Sequence, residues 1–229
     1  MKKTILITGA GSGLGKELAK ELFGENVIVA VGLGSKNLNA LKKEIGCDIY
    51  PCDISKASAV SSLAKKVQKK YGRIDCLVNN AGVWTEGSLV AEDDKRMQKV
   101  IEVNLLGSIL MSKYFLPLLS KAESGLIVNV VSQAGMYSKT NRSVYGASKW
   151  GMTGFTKYLN DEVLPNAIRV TGVYPGKMNT PLFEDSKNKK DMSDALDPRL
   201  VARTIKFIID QPSDVHIPEL GIKSSKQLR

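Results

Sequence analysis

Thr4-Ile5-Leu6-Ile7-Thr8-Gly9-Ala10-Gly11-Ser12-Gly13-Leu14-Gly15 is the stretch that decides how the chain folds. An apolar run of strand length breaks into glycines at every second position. Residues 16–23 then place Leu18, Ala19 and Leu22 on one helical face, and Gly24 follows as a stop. Val27-Ile28-Val29-Ala30-Val31 is a second apolar run. Strand, helix and strand in this order predict parallel strands joined by a right-handed crossover. The glycines have a physical use, because they permit positive φ and leave no Cβ in the way. A phosphate can then reach the N–H groups at the helix start, where the helix dipole also favours negative charge. Taken alone this is a tight turn; between an apolar strand and an amphipathic helix it signals a dinucleotide.

Outward from that unit, the pattern repeats. Residues 48–52 and 74–78 read as strands, with a helix over 55–71 between them. Asn79-Asn80-Ala81-Gly82 ends the second of these. Asp93-Asp94 opens a long helix whose expected buried stripe is Met97, Val100, Ile101, Leu105, Ile109 and Leu110. Asn104 sits inside it, where a buried amide needs a specific partner. Residues 125–131 form a fifth strand, and Ser132 follows at its C-terminal end, where open α/β sheets bind ligands. Tyr145 and Lys149 stand four apart at the start of an amphipathic run and so share a helix face. An ammonium beside a phenol is expected to lower the phenol's pKa, which makes Tyr145 a candidate proton donor. Residues 167–174 give a sixth strand, which leads into Pro175-Gly176 and Thr180. A polar stretch, about 177–197, reads as a lid. Asp197-Pro198 starts a last helix over 199–209, and 215–220 reads as an edge strand. The fold class is therefore α/β: a doubly wound, Rossmann-type parallel sheet flanked by helices, in a single domain over 1–229.

Composition narrows the function classes. A 229-residue chain with 43% hydrophobic and 24% charged residues suits one soluble domain. No apolar run approaches the roughly 20 residues of a membrane span. The apolar start stops at Thr8-Gly9, too short for a signal peptide, so a cytoplasmic protein is expected. Cys47, Cys52 and Cys76 lack the spacing of a disulfide framework or a zinc site, and no metal is expected. The net charge of +10 suits anionic cofactors or acidic partners. Its lysines are dispersed and no nucleic-acid-binding motif accompanies them, so no nucleic acid is expected as partner. His216, the single histidine, is adjacent to none of these motifs and reads as structural or exposed.

Gly9, Gly13 and Gly15 fit T-G-x-x-x-G-x-G, a wider spacing than the common dinucleotide fingerprint. With Asn79-Asn80-Ala81-Gly82, Asn104, Ser132, Tyr145 and Lys149 in this order, the chain resembles the short-chain dehydrogenase/reductase family over nearly its whole length. That resemblance implies a carbonyl reductase or alcohol dehydrogenase that transfers hydride between a nicotinamide cofactor and a carbonyl/alcohol pair. It implies catalytic roles for Asn104, as holder of a relay water, and for Ser132, Tyr145 and Lys149. It implies cofactor contacts at Gly9, Ser12, Gly13, Leu14, Gly15, Asp53, Ile54, Asn80, Ala81, Gly82, Tyr145, Lys149, Pro175, Gly176 and Thr180. Asp53 reads equally as a helix N-cap. No carboxylate ends the second strand to bind a ribose 2′-hydroxyl; Gly32 and Leu33 stand there. Ser35 and Lys36 follow, suited to a 2′-phosphate, so NADP(H) is favoured over NAD(H); Ser35 reads equally as a helix cap. The substrate is a small ketone or aldehyde, or a 3-oxoacyl chain on an acidic carrier protein. By the same analogy a homodimer or homotetramer is expected. The alternative is a non-catalytic dinucleotide sensor on the same fold.

Overall fold

Alternation along the first strand sets the layers. Ile5 and Ile7 of β1 (Thr4–Thr8) belong to one buried cluster and Leu6 to the opposite one. A strand buried on both faces belongs in the middle of a parallel sheet covered by helices. The computed structural model, which describes residues 2–183 and 191–228, places it there. β2 (Val27–Gly32), β3 (Asp48–Pro51), β4 (Cys76–Asn79), β5 (Gly125–Val130), β6 (Ile168–Pro175) and β7 (Glu219–Ile222) complete the sheet. Its order is β3-β2-β1-β4-β5-β6-β7 and the pairings are parallel. Strand order reverses between β1 and β4, and that switch point is where such sheets bind ligands.

α1 (Gly13–Leu22), α2 (Ser35–Ile45) and α7 (Pro198–Ile209) cover one face. Leu18, Ala19 and Leu22 are buried as their spacing predicts. α3 (Ala57–Tyr71), α5 (Gly107–Leu119) and α6 (Ser143–Val163) cover the other, with α4 (Asp94–Ile101) leading into α5. A buried polar chain pins the second face. Asn79 Nδ2 donates to Asn129 Oδ1 at 2.9 Å, and Asn129 Nδ2 donates to Thr156 Oγ1 of α6 at 2.9 Å. Inside the sheet's cover these bonds fix how α6 sits on β4 and β5.

Several expectations need correction. The long helix is interrupted: Glu102–Leu106 winds as a π turn between α4 and α5. That extra residue rotates the inward face. Of the expected stripe only Val100 is buried, and Ile101 is 38% exposed. Beyond the π turn the buried residues are Gly107, Ser108, Met111, Ser112, Phe115, Leu118 and Leu119. Ser35 does not cap α2; Gly34 holds that place without a side-chain bond. Asp53 does not cap α3, which starts after Lys56. Its carboxylate instead closes a turn, accepting from Ser55 N at 3.0 Å and Ser55 Oγ at 2.7 Å. The edge strand is β7, which starts four residues later than expected and ends two later. Asp197 caps α7 as expected.

His216 Nε2 lies 3.1 Å from Val170 O, a structural role, and the three cysteines are buried free thiols. Among the described residues no helix is long and apolar enough to cross a membrane. Residues 184–190 of the expected lid lie outside the described residues.

Candidate active site

Thr8, Gly9 and Asn80 build the switch point into a crevice. Thr8 Oγ1 donates to Val78 O at 3.2 Å and accepts from Asn80 N at 2.9 Å and Ala81 N at 3.0 Å. Asn80 Nδ2 donates to Thr8 O at 2.9 Å. The glycine turn is thereby stitched to the exit of β4. Gly9 and Gly13 hold φ of +68° and +50°, which side-chain-bearing residues rarely adopt. Ser12 caps α1 without a side-chain bond. The first N–H groups of α1 have no partner within the helix and are the donors an anion would take.

Gly15 serves a different purpose. A Cβ there would lie 2.3 Å from Gly9 O and 2.6 Å from Asn80 Nδ2, so it lets α1 approach the turn. Gly15→Ala is expected to destabilise the fold by about 1–3 kcal/mol through overpacking. Gly24→Ala, where a Cβ meets nothing within 4 Å, is the control. Equal denaturation midpoints for the two variants would show that the turn tolerates the extra carbon.

A cleft of about 1340 Å³ runs along the ends of the strands. One end is lined by Gly32, Leu33, Asp53 and Ile54, the middle by Gly9, Gly13 and Asn80–Gly82, and the other end by Ser132, Tyr145 and Lys149. Pro175, Gly176 and Thr180 close the side, with Thr180 Cβ 3.2 Å from where a Cβ on Gly13 would stand. Ser12 and Leu14 also line it. Four expected residues are not on its wall: Gly15 behind the turn, Asn104 beneath the floor, and Ser35 and Lys36, exposed at the start of α2. A long crevice with backbone donors at its middle, no Cβ at the close approaches and hydroxyls at one end fits an extended dinucleotide. The described residues hold no cluster of metal-ligating side chains.

Tyr145 and Lys149 occupy the first turns of α6 and are each 5% exposed. Lys149 Nζ lies 5.8 Å from the Tyr145 ring centroid and donates to Val130 O at 3.1 Å. Ser132, just past β5, lines the same end of the cleft as Tyr145 and accepts from Ala134 N at 3.1 Å. The expected acidification of the phenol by its ammonium neighbour is not what this arrangement gives. Burial pushes Tyr145 up to about 12, while the Ser132 hydroxyl and the positive charge of Arg142 pull it down. Burial likewise lowers Lys149 to about 8. Its ammonium bonds a strand carbonyl, and among the described residues no carboxylate pairs with it.

Asn104, the expected holder of a relay water, has protein partners on both side-chain atoms. Oδ1 accepts from Val83 N at 2.8 Å, and Nδ2 donates to Val83 O at 3.0 Å and Ser148 Oγ at 3.1 Å. Ser148 Oγ donates to Tyr145 O at 2.7 Å. The π turn thus presents an amide that ties the loop after Gly82 to the first turn of α6.

That loop carries the residue that sequence reasoning missed. The Trp84 ring packs 4.4 Å from the Tyr145 ring and 4.9 Å from Phe183, centroid to centroid. The Arg142 guanidinium lies 4.9 Å from it and pairs with Glu86 at 3.1 Å. The available signal was position: Trp84 follows Asn79-Asn80-Ala81-Gly82 at the C-terminal end of a parallel strand. Gln227 was also missed. Its amide donates to Lys177 O at 3.1 Å and Asp194 O at 2.9 Å, closing the wall beside Gly176.

Residues 3–191 match the short chain dehydrogenase family. The chain is 37% identical over 193 residues to a 3-oxoacyl-(acyl-carrier-protein) reductase of Thermotoga maritima, covering 82% of this chain and 78% of that one. The 3-ketoacyl-(acyl-carrier-protein) reductase of Brucella melitensis, solved with NADH, superposes with a TM-score of 0.90 at 28% identity, covering 98% of each chain. An alcohol dehydrogenase of Thermococcus sibiricus, solved with 5-hydroxy-NADP, gives 0.88 at 27% identity, covering 98% of this chain and 97% of that one. With its glycine crevice at the β1/β4 switch point and Ser132, Tyr145 and Lys149 at the crevice end, the chain belongs to the short-chain dehydrogenase/reductase family and is an oxidoreductase of that family.

Proposed function

We propose that this oxidoreductase reduces a carbonyl compound to an alcohol with a nicotinamide dinucleotide, NADPH in preference to NADH. The observation that carries the reading is the convergence of Ser132, Tyr145 and the buried Lys149 on the wall at one end of the crevice. The cofactor would supply the hydride. The turn at Gly9–Gly13 and the start of α1 would hold its phosphates through backbone N–H groups. Ser132 donates a hydrogen bond to the substrate oxygen and stabilises the charge that develops there. Tyr145, held in the phenol form by burial, gives the proton to that oxygen. Lys149 would hold the cofactor ribose, and its ammonium would stand near the tyrosinate that proton transfer leaves. Asn104 fixes the floor on which Tyr145 and the loop at Val83 stand.

Preference for NADPH rests on Gly32 and Leu33, which end β2 without a carboxylate, and on the basic chain; the Asp53 carboxylate at that end of the cleft is engaged by Ser55. Lys36, exposed at the start of α2 three residues after Leu33, would be the cation available to the 2′-phosphate. The substrate is a small ketone or aldehyde, or an acyl chain on a carrier protein as in the Thermotoga relative. The test is loss of reduced-nicotinamide absorbance with a panel of aldehydes and ketones, alongside titration of each cofactor. Turnover with NADPH bound at least about tenfold more tightly than NADH is expected, a difference of about 1.4 kcal/mol. Tighter binding of NADH would reverse the cofactor assignment. Cofactor binding without turnover of any carbonyl would favour a sensor.

A further inference from the structure

We propose that Trp84 is the specificity-determining wall of the substrate site, and that it restricts the enzyme to carbonyl compounds with one small substituent: aldehydes and methyl ketones. This rests on the carbonyl-reductase reading above. The Trp84 ring fills the space directly beside the phenol, with centroids 4.4 Å apart and planes tilted by 58°. A substrate oxygen that meets Ser132 and Tyr145 must therefore bring one of its two carbon substituents against the indole.

Discrimination by a wall requires that the wall not move. Trp84 is 5% exposed and is held from several directions. Phe183 meets it nearly edge-on at 76°, and the Arg142 guanidinium lies over it, fixed in turn by Glu86. Arg96 Nη2 donates to its backbone carbonyl. The preceding residue, Val83, is bonded at both N and O to Asn104. A packed, multiply tethered indole rejects bulk by steric conflict, without being displaced by it. The cleft is also lined by Tyr137, which is 61% exposed and so leaves open space for the larger substituent.

The test compares kcat/KM for benzaldehyde, acetophenone and benzophenone in wild type, Trp84→Phe and Trp84→Ala. The three substrates share a phenyl group and differ in the second substituent: hydrogen, methyl and phenyl. Wild type is expected to use the first two and to disfavour benzophenone by at least about a hundredfold, within the range that pocket size alone gives. Trp84→Ala should raise the benzophenone-to-acetophenone ratio at least about tenfold, with Trp84→Phe between the two. NADPH affinity, read by cofactor fluorescence, should stay within about threefold, which separates a changed wall from a damaged fold. A ratio unchanged in both variants, or a wild type indifferent to the second substituent, would overturn the assignment while leaving carbonyl reduction in place. Absence of turnover with every carbonyl in wild type would instead remove the reading on which it rests.

Discussion

Tyr145→Phe is expected to lower kcat/KM for carbonyl reduction by about 10²–10⁴-fold, the range for loss of a positioned general acid. The substitution removes one oxygen and leaves the ring, so the packing against Trp84 survives. Cofactor affinity should therefore hold while turnover falls. The state of the phenol gives a second, pH-dependent expectation. With Tyr145 raised to about 12, it is protonated throughout the neutral range. Reduction uses that protonated form, so from about pH 6 to 9 Tyr145 imposes no decline. Alcohol oxidation uses the tyrosinate, and its rate should climb with pH, approaching tenfold per unit where this deprotonation limits. Arg142→Ala removes a positive charge that favours the tyrosinate and should shift the oxidation profile to higher pH. Turnover of Tyr145→Phe within about threefold of wild type would rule Tyr145 out as the donor.

Lys149→Met is expected to abolish most activity yet stabilise the cofactor-free protein. Burial lowers the Lys149 pKa from its ordinary 10.5 to about 8, which corresponds to roughly 3 kcal/mol of unfavourable desolvation of the charged form. The sign follows from proton binding in the two states. Below pH 8 the amine is charged in both folded and unfolded chains, and the whole penalty is present. Between about 8 and 10.5 the folded amine loses its proton while the unfolded one keeps it, so stability rises with pH across that window. Methionine fills similar volume without charge and loses only the bond to Val130 O, a net of about 0.5–1.5 kcal/mol. Unfolding at pH 7 should therefore need about 1–3 kcal/mol more in Lys149→Met, and its stability should not climb between pH 8 and 10. A variant less stable than wild type at pH 7, with wild type flat over that pH range, would show the ammonium to be well accommodated.

Much of the frame was legible because it is local. Strand-length apolar runs, glycines after Thr8 and the four-residue spacing of Tyr145 and Lys149 each constrain the backbone within a few residues. What escaped depends on contacts distant in sequence. The stripe drawn through Ile101, Leu105 and Ile109 assumed a continuous α-helix; the π turn at Glu102–Leu106 shifts the phase, and no residue pattern announces it. Nearness of Tyr145 and Lys149 was foreseen, but not the consequence for their pKa values. That depends on how dry the site is, which spacing alone does not reveal. Trp84 lies 61 residues before Tyr145, and only the fold brings their rings together. Gln227 reaches Lys177 from 50 residues away for the same reason.

The strand order bears on how the molecule comes into being at the ribosome. β1 is made first yet lies between β2 and β4, so its β4 side has no neighbour until Cys76–Asn79 emerges. Thereafter each newly made strand docks on the edge formed by its predecessor, β4 then β5, β6 and β7. Nascent segments can therefore add outward in the order of translation, with no later strand inserting between earlier ones. A chain stalled after α5 already owns the phosphate cradle, whereas the proton donor, Tyr145, lies 26 residues beyond Leu119.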